Sequence, residues 1–195
     1  MKFDDYYNTI LEAKRGKEPE SDVQLPDGTW RRVDSYGDVY YSKTKNESDY
    51  HRLDGPAAEY VSGRKEWYVN GYRHRLDGPA IIGTDGSKRW FVNGDKHRLD
   101  GPAVEWSDGS KEWWVNNKLH RLDGPAVEWS DGSKEWWVNG ERHRLDGPAV
   151  EYADGGKAWW VNGKEYSEEE FNTIFGVSKD LAVIKQRAAS NDLFM

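Results

Sequence analysis

Residues 120–142 read HRLDGPAVEWSDGSKEWWVNGER, and residues 97–119 match them at 20 of 23 positions, differing only in the last three. The opening heptad HRLDGPA recurs at His51, His74, His97, His120 and His143, always 23 residues apart, and those are all five histidines of the 195-residue chain. A period of this length is the signature of modules that stack on their neighbours, because one unit alone cannot bury its apolar face. Within the unit, two short runs rich in Val and Trp flank Ser130-Asp131-Gly132, and the second run ends at Asn139-Gly140. Asp-Gly between such runs marks a β-hairpin.

Charge sets the register of that hairpin. A two-residue loop would put Glu128 opposite Glu135, a like-charge pair that destabilises. A three-residue loop with Gly132 left-handed puts Glu128 opposite Lys134 instead, and the same pairing recurs as Glu59/Lys65, Glu105/Lys111 and Glu151/Lys157. The three-residue loop is therefore expected. Pro at the head of each first run has no N–H to donate and belongs at a strand start. Asn-Gly supplies the return turn at 70–71, 93–94, 139–140 and 162–163, with Asn116-Asn117 the departure. Two strands per unit at ~4.8 Å give about 10 Å of advance, so five units should span about 50 Å.

Two aromatic ladders run through the array. Trp67, Trp90, Trp113, Trp136 and Trp159 are invariant, while the next position varies as Tyr68, Phe91, Trp114, Trp137 and Trp160. Side chains alternate along a strand, so the ladders belong to opposite faces. Invariance marks the first, with the Val two residues on, as the better-packed face. The second is open to packing, to a terminal helix or to a partner.

The ends depart from the period. Residues 1–26 read as a helical cap and linker, with Phe3, Tyr7, Ile10 and Leu11 on one helical face. Residues 27–50 read as a degenerate first repeat with a longer loop before His51, and 51–165 as the five repeats. Residues 166–195 read as a C-terminal helical cap. There, Ser167-Glu168-Glu169-Glu170 forms a capping box ahead of Phe171, Ile174 and Phe175, and a second helix is expected from Ser178 to Ala189. The fold expected is mainly β: an elongated antiparallel repeat sheet of tandem hairpins with helices at both ends to protect its edges.

Composition narrows the function. The net charge is −7, and no basic stripe is visible that would neutralise nucleic-acid phosphates or dock on anionic lipid. There is no Cys, which excludes disulfides and thiolate metal sites, and no apolar run approaches the ~20 residues needed to cross a bilayer. MKFDDYYNTI carries no basic region followed by an apolar run, so no signal peptide is expected and the location expected is cytoplasmic. Equivalent histidines about 10 Å apart cannot share one metal ion, whose ligands lie ~2 Å from it. A site such as His120 with Asp123 is ligand-poor, and the plainer reading has Asp123 capping the turn through backbone N–H groups while Arg121 pairs with a carboxylate. Catalysis needs one unique constellation, whereas these groups occur five times over, so neither an enzyme nor a cofactor is expected.

A 23-residue hairpin repeat with aromatic strands and Gly-bearing turns resembles the MORN-type repeat. The HRLDGPA signature is similar to a divergent branch of such repeats in tailed bacteriophages and other large DNA viruses, and loosely to YwqK-like antitoxin repeats. The resemblance covers 51–165 and, more weakly, 27–50; the paired Gly-x-Gly of the common pattern is replaced by HRLDGPA. It implies scaffolding, dimerisation or partner binding, in some members lipid contact, and no enzymatic activity.

The function expected is non-enzymatic binding of a protein partner, as by a phage-encoded inhibitor of a host defence protein acting in the host cytoplasm. Two surfaces are candidates: the ladder Tyr68, Phe91, Trp114, Trp137 and Trp160, and the repeat edge His74, Arg75, His97, Arg98, His120, Arg121, His143 and Arg144. Trp and Tyr dominate binding hot spots, and a single-layer sheet cannot bury both faces alone. The alternatives are a homodimer through one ladder, a sponge that sequesters a signalling nucleotide between Trp rings with Arg and His on its phosphates, and a structural spacer.

Overall fold

The first four 23-residue periods each fold as two hairpins divided at the first Trp of the aromatic pair, whereas in the fifth Trp159 lies within the continuous strand Lys157–Val161. In the period that begins at His97, Val104–Glu105 and Lys111–Glu112 form one hairpin and Trp114–Val115 and Lys118–Leu119 a second. Trp113 stands between them. Its N–H donates to the Ala126 carbonyl at 2.8 Å, and its own carbonyl accepts the His120 N–H at 3.0 Å. The ring therefore sits on a bend whose backbone groups are all committed. The same bonds recur around Trp67 with Ala80 and His74, and around Trp136 with Ala149 and His143.

The computed structural model describes residues 22–45 and 49–176. The helix expected over Phe3–Leu11 and the one expected from Ser178 lie outside the described residues. The chain divides into two units, Met1–Asp95 and Lys96–Met195. In the first, strands follow one another antiparallel in the order Val23–Gln24, Trp30–Val33, Val39–Ser42, Ala58–Glu59, Lys65–Glu66, Ile81–Ile82 and Lys88–Arg89. In the second the order is Val104–Glu105, Lys111–Glu112, Val127–Glu128, Lys134–Glu135, Val150–Glu151, Lys157–Val161 and Lys164–Tyr166. The protein is mainly β and built of tandem hairpins, as its periodicity requires.

The register expected from charge is the one observed. Glu128 faces Lys134, Glu105 faces Lys111, Glu59 faces Lys65 and Glu151 faces Lys157. The loop has three residues: Trp129 N–H donates to Ser133 O at 2.9 Å, and Gly132 lies at φ 94°. Between hairpins Lys111 faces Glu128 and Lys134 faces Glu151, so the second unit carries an unbroken ladder of alternating charge. Each opposite-charge pair contributes roughly 0.2–1 kcal/mol, and a slip of one strand would break every pair it makes.

The second hairpin turns at the Asn-Gly pair. Asn139 and Gly140 have φ of 54° and 86°, both left-handed, which is the two-residue turn whose twist matches the strands it joins. Gly140 N–H then donates to Leu119 O at 2.9 Å, so each small hairpin is pinned to the preceding one. Ser133 ties the larger hairpins in the same way. Its N–H donates to Asp131 Oδ1, and its Oγ accepts Ala153 N–H at 3.0 Å from the following period.

Burial differs from expectation. The fully buried ladder is the Ala after each Pro (Ala57, Ala80, Ala103, Ala126 and Ala149), joined by Ala58, Ile81, Val104, Val127 and Val150. The invariant Trp rings are half-buried. Alanine sits at the junction of two strands, Ala126 N–H donating to Glu135 O while its carbonyl accepts from Trp113. A methyl group fits there, whereas a ring of ~150–250 Å² cannot be enclosed by so thin a layer.

At the C-terminal end the capping box forms as expected: Ser167 Oγ accepts Glu170 N–H, and Glu170 Oε2 accepts Ser167 N–H at 2.9 Å. The helix Glu168–Phe175 buries Phe171, and Phe175 meets Tyr166 edge-on at 5.5 Å. Ile174, expected on the apolar face, is instead exposed.

Asn116-Asn117 is the one return turn without Gly, at φ 48° and 62°. Replacing Asn117 by Gly removes the steric cost of a left-handed side chain. It is expected to stabilise the protein by about 0.5 kcal/mol, read as a higher urea midpoint. An unchanged or lower midpoint would mean that the Asn117 side chain itself holds the turn.

Candidate functional site

The HRLDGPA loop is best understood one residue at a time, using 120–126. The backbone N–H of Asn139 donates to His120 Nδ1 at 3.1 Å, and Asn70, Asn93, Asn116 and Asn162 do the same for His51, His74, His97 and His143. The same Nδ1 of His74, His97 and His120 lies 2.9, 2.8 and 3.0 Å from the side-chain Oδ1 of that Asn. Burial pushes the imidazoles of His51, His120 and His143 below the ordinary histidine value.

Arg121 has the most contacts. Its guanidinium lies 4.0 Å from the centroid of the Trp113 ring in the preceding period. Nε donates to Asp123 Oδ1 at 2.9 Å, and Nη1 to Pro125 O at 3.1 Å and to Glu128 Oε1 at 3.0 Å. Arg75 over Trp67 and Arg144 over Trp136 repeat the stack, and Arg52 makes it on Tyr41 at 4.0 Å. Tyr41 thus takes the Trp position in the hairpin before the first HRLDGPA loop.

Asp123 does not cap the turn through amides as expected; its carboxylate is claimed by Arg121. A charge-assisted bond is roughly twice as strong as a neutral one, and the stacked guanidinium holds its Nε within reach. In the equivalent loops, the arginine holds Asp54, Asp77 and Asp100 below the usual carboxylate range, by its hydrogen bond first and its charge second. Gly124 is needed because a Cβ there would stand 2.9 Å from Arg121 Cζ. Ala126 is buried, and Pro125 lends its carbonyl.

Leucine is the motif residue that these contacts leave over. Leu53, Leu76 and Leu99 are 80%, 79% and 65% exposed, and Leu122 and Leu145 are half-buried. Exposure of a large apolar side chain at the same position of three successive loops has no folding benefit. Between the loops at 98–102 and 120–123 lies an open notch of about 500 Å³ whose lining includes Leu99, Pro102, Trp113, Val115, His120 and Leu122. Its rim carries Asp100 and Asp123, whose side chains are 83% and 84% exposed.

The second aromatic ladder lies under cover. Phe91 is buried, and Tyr68, Trp114, Trp137 and Trp160 are half-buried. Lys96 lies 4.1 Å over Trp114, and Arg142 lies 5.1 Å over Trp137 and 5.5 Å over Trp160. Glu112 accepts the indole N–H of both Trp106 and Trp114, and Glu135 those of Trp129 and Trp137. Glu66 holds the same place in the first unit, where Tyr68 donates to it at 2.6 Å beside Arg64 and Arg73. Burial acts to raise the Glu66 carboxyl, but these three partners outweigh it and keep it below the usual range. In the last period Ala158 stands where Glu112 and Glu135 stand, and the buried Trp160 Nε1 has no partner among the described residues.

The structure therefore brings together the edge residues Arg98, His120 and Arg121 with Leu99 and Leu122 around the notch, and the Arg98 and Arg121 N–H groups donate to the Trp114 and Trp137 carbonyls of the second ladder. The leucines were missed at the sequence level. The available signal was an invariant apolar residue between Arg and Asp, inside a loop. A second hollow, of about 130 Å³, lies among Trp30, Tyr40 and Tyr50 in the first unit, with Asp22 facing Arg32 and Lys45 at 3.9 and 3.8 Å.

No protein-family model matches the chain, and no curated protein matches it. Among the described residues no three His, Asp or Glu side chains are grouped to hold a metal ion, and no helix is long and apolar enough to cross a membrane.

Removing the Arg121 side chain strips the Trp113 stack and leaves Glu128 half-buried without that partner. Arg121→Ala is expected to cost about 3 kcal/mol in urea unfolding, and Arg121→Lys about half of that. A loss below about 1 kcal/mol would show that the stack is incidental.

His51, His120 and His143 set a pH dependence. Their native pKa lies below the unfolded value of 6.5, so the unfolded chain binds more protons between the two. Their contribution is complete above about 6.5 and is lost as the pH falls through that window. The urea midpoint is expected to drop from about pH 7.5 to about pH 5, and less steeply in His120→Gln, which keeps an acceptor but does not titrate. A flat profile in the parent protein would refute this.

Proposed function

We propose that this protein is a non-enzymatic binding scaffold whose HRLDGPA edge docks a protein partner. The observation that carries the reading is the exposed leucine at three of the five loops, Leu53, Leu76 and Leu99. His, Arg, Asp, Gly, Pro and Ala of the motif each have a contact within the fold, whereas Leu99 is exposed beside the notch and Leu122 lines it half-buried. Hot spots form where such side chains and partly buried aromatic rings share a concave surface. The half-buried second ladder, its indoles engaged by Glu112 and Glu135, is the less available of the two candidate surfaces. Arg121 already uses Nε and Nη1 within its own loop, which weighs against a clamp for nucleotide phosphates. The resemblance to phage-borne repeats makes a host protein the partner to look for first.

The test is capture from host lysate by the full chain, with light scattering to give its mass. The parent protein is expected to retain a partner that Leu76→Glu/Leu99→Glu loses, while circular dichroism and urea midpoint stay unchanged, since both leucines are exposed. Equal capture by parent and variant would reject the edge as the binding surface. A dimer in the parent that becomes a monomer in the variant would reassign the edge to self-association.

A further inference from the structure

Donors of the second ladder and their carboxylates are matched period by period, with one exception. Glu66, Glu112 and Glu135 stand two residues before Tyr68, Trp114 and Trp137 and accept from their side chains. In the second period the carboxylate is missing, but so is the donor: Arg89 precedes Phe91, which has no N–H to satisfy. Acceptor and donor are thus kept or dropped together through the first four periods. The fifth breaks the match. Ala158 replaces the glutamate while Trp160 remains, and its buried Nε1 has no hydrogen-bond partner among the described residues.

A buried N–H without an acceptor is costly, and whatever supplies the acceptor recovers that cost. The other periods show which chemistry does so. Relative to Glu135, Ala158 lacks one methylene and one carboxylate, which together are the heavy atoms of acetate. A second donor also has its counterpart. Tyr152 holds the position from which Trp129 donates to Glu135, and Tyr68 shows, at 2.6 Å from Glu66, that a phenol serves this carboxylate as well as an indole does. Ala158 is part-exposed and Tyr152 is 50% exposed, so the approach over the alanine methyl is open to solvent while Nε1 is withdrawn from it.

Net charge does not select the ligand. Arg142 lies 5.5 Å from the Trp160 ring but is engaged by Glu135, and the exposed Glu165 is the cross-strand partner of Trp160. Selection comes from the hydrogen bond. An ionised acceptor binds an N–H about twice as strongly as a neutral one, and a donor enclosed away from water preserves that difference.

We propose that the fifth period is a binding site for a short aliphatic carboxylate, acetate in size, which takes the place of the missing glutamate and accepts the Trp160 indole N–H, with the Tyr152 hydroxyl as second donor. The site belongs to the second-ladder face and is independent of the HRLDGPA edge.

The test follows the indole N–H resonances of the isotope-labelled full chain near neutral pH as sodium acetate is added, with sodium chloride holding the ionic strength constant. One resonance, assigned to Trp160 by its loss in Trp160→Phe, is expected to move downfield and saturate with a Kd on the order of 10 mM. The urea midpoint is expected to rise over the same range. Acetamide, the neutral counterpart, is expected to bind about tenfold more weakly. Ala158→Glu, which ties the carboxylate to the chain, is expected to raise the midpoint in plain buffer, to place the Trp160 resonance near its acetate-saturated position and to abolish the response to acetate. That variant also assigns the resonance should Trp160→Phe fail to fold. No saturable movement in the parent protein overturns the proposal even where Ala158→Glu is stabilised, since only a tethered carboxylate then enters. An equal response to acetamide, or an acetate response that survives in Ala158→Glu, overturns it as well.

Discussion

A guanidinium lying flat on the indole of the preceding period is the contact on which the rest of this structure depends. Arg121 on Trp113 and Arg144 on Trp136, each about 4 Å from ring centroid to guanidinium carbon, join one repeat to the next through a side chain that also ties its own loop. Stacking orients the planar fork so that Nε meets Asp and Nη1 meets a Pro carbonyl and a Glu. Lysine has the charge without the plane or the fork. The glycine two residues before the buried alanine follows from the same contact, since any side chain there would strike the guanidinium. Much of the heptad is thus a consequence of placing one arginine.

The face opposite is organised by a carboxylate. Glu112 and Glu135 each accept two indole N–H groups, so that rings from the two hairpins of one period are held by a single residue. Glu66 performs the task with a tyrosine and two arginines, and Ala158 abandons it in the last period, leaving Trp160 Nε1 buried and unpartnered among the described residues. The interior of a repeat array can enforce such a network by repetition, whereas the terminal period has a different neighbour and a different solution. The capped helix Glu168–Phe175, laid against the last two strands, is that neighbour here.

Neither network includes the leucine of HRLDGPA, which is why it stands out. The arginine stack fixes the loop, and the leucine, beside the notch, takes no part in that network.

Sequence alone determined the features governed by short-range sterics and charge. The 23-residue period, the three-residue loop at Ser130-Asp131-Gly132, the Glu128–Lys134 register, the left-handed Asn-Gly turn and the Ser167 capping box are each decided within a few residues, and each stands in the structure as read. Only the tertiary structure decided what meets across longer separations. No periodicity could say that His120 accepts from Asn139, that Arg121 stacks on Trp113, or that the chain bends at Trp113 to make two hairpins of one period. The exchange of expected burial between tryptophan and alanine has the same origin. Burial depends on how closely two strands approach at a junction, and the space there admits a methyl group and excludes a ring. The leucines belong to this class too: their exposure follows from where the loop is held, and it is held by contacts that lie outside it in the chain.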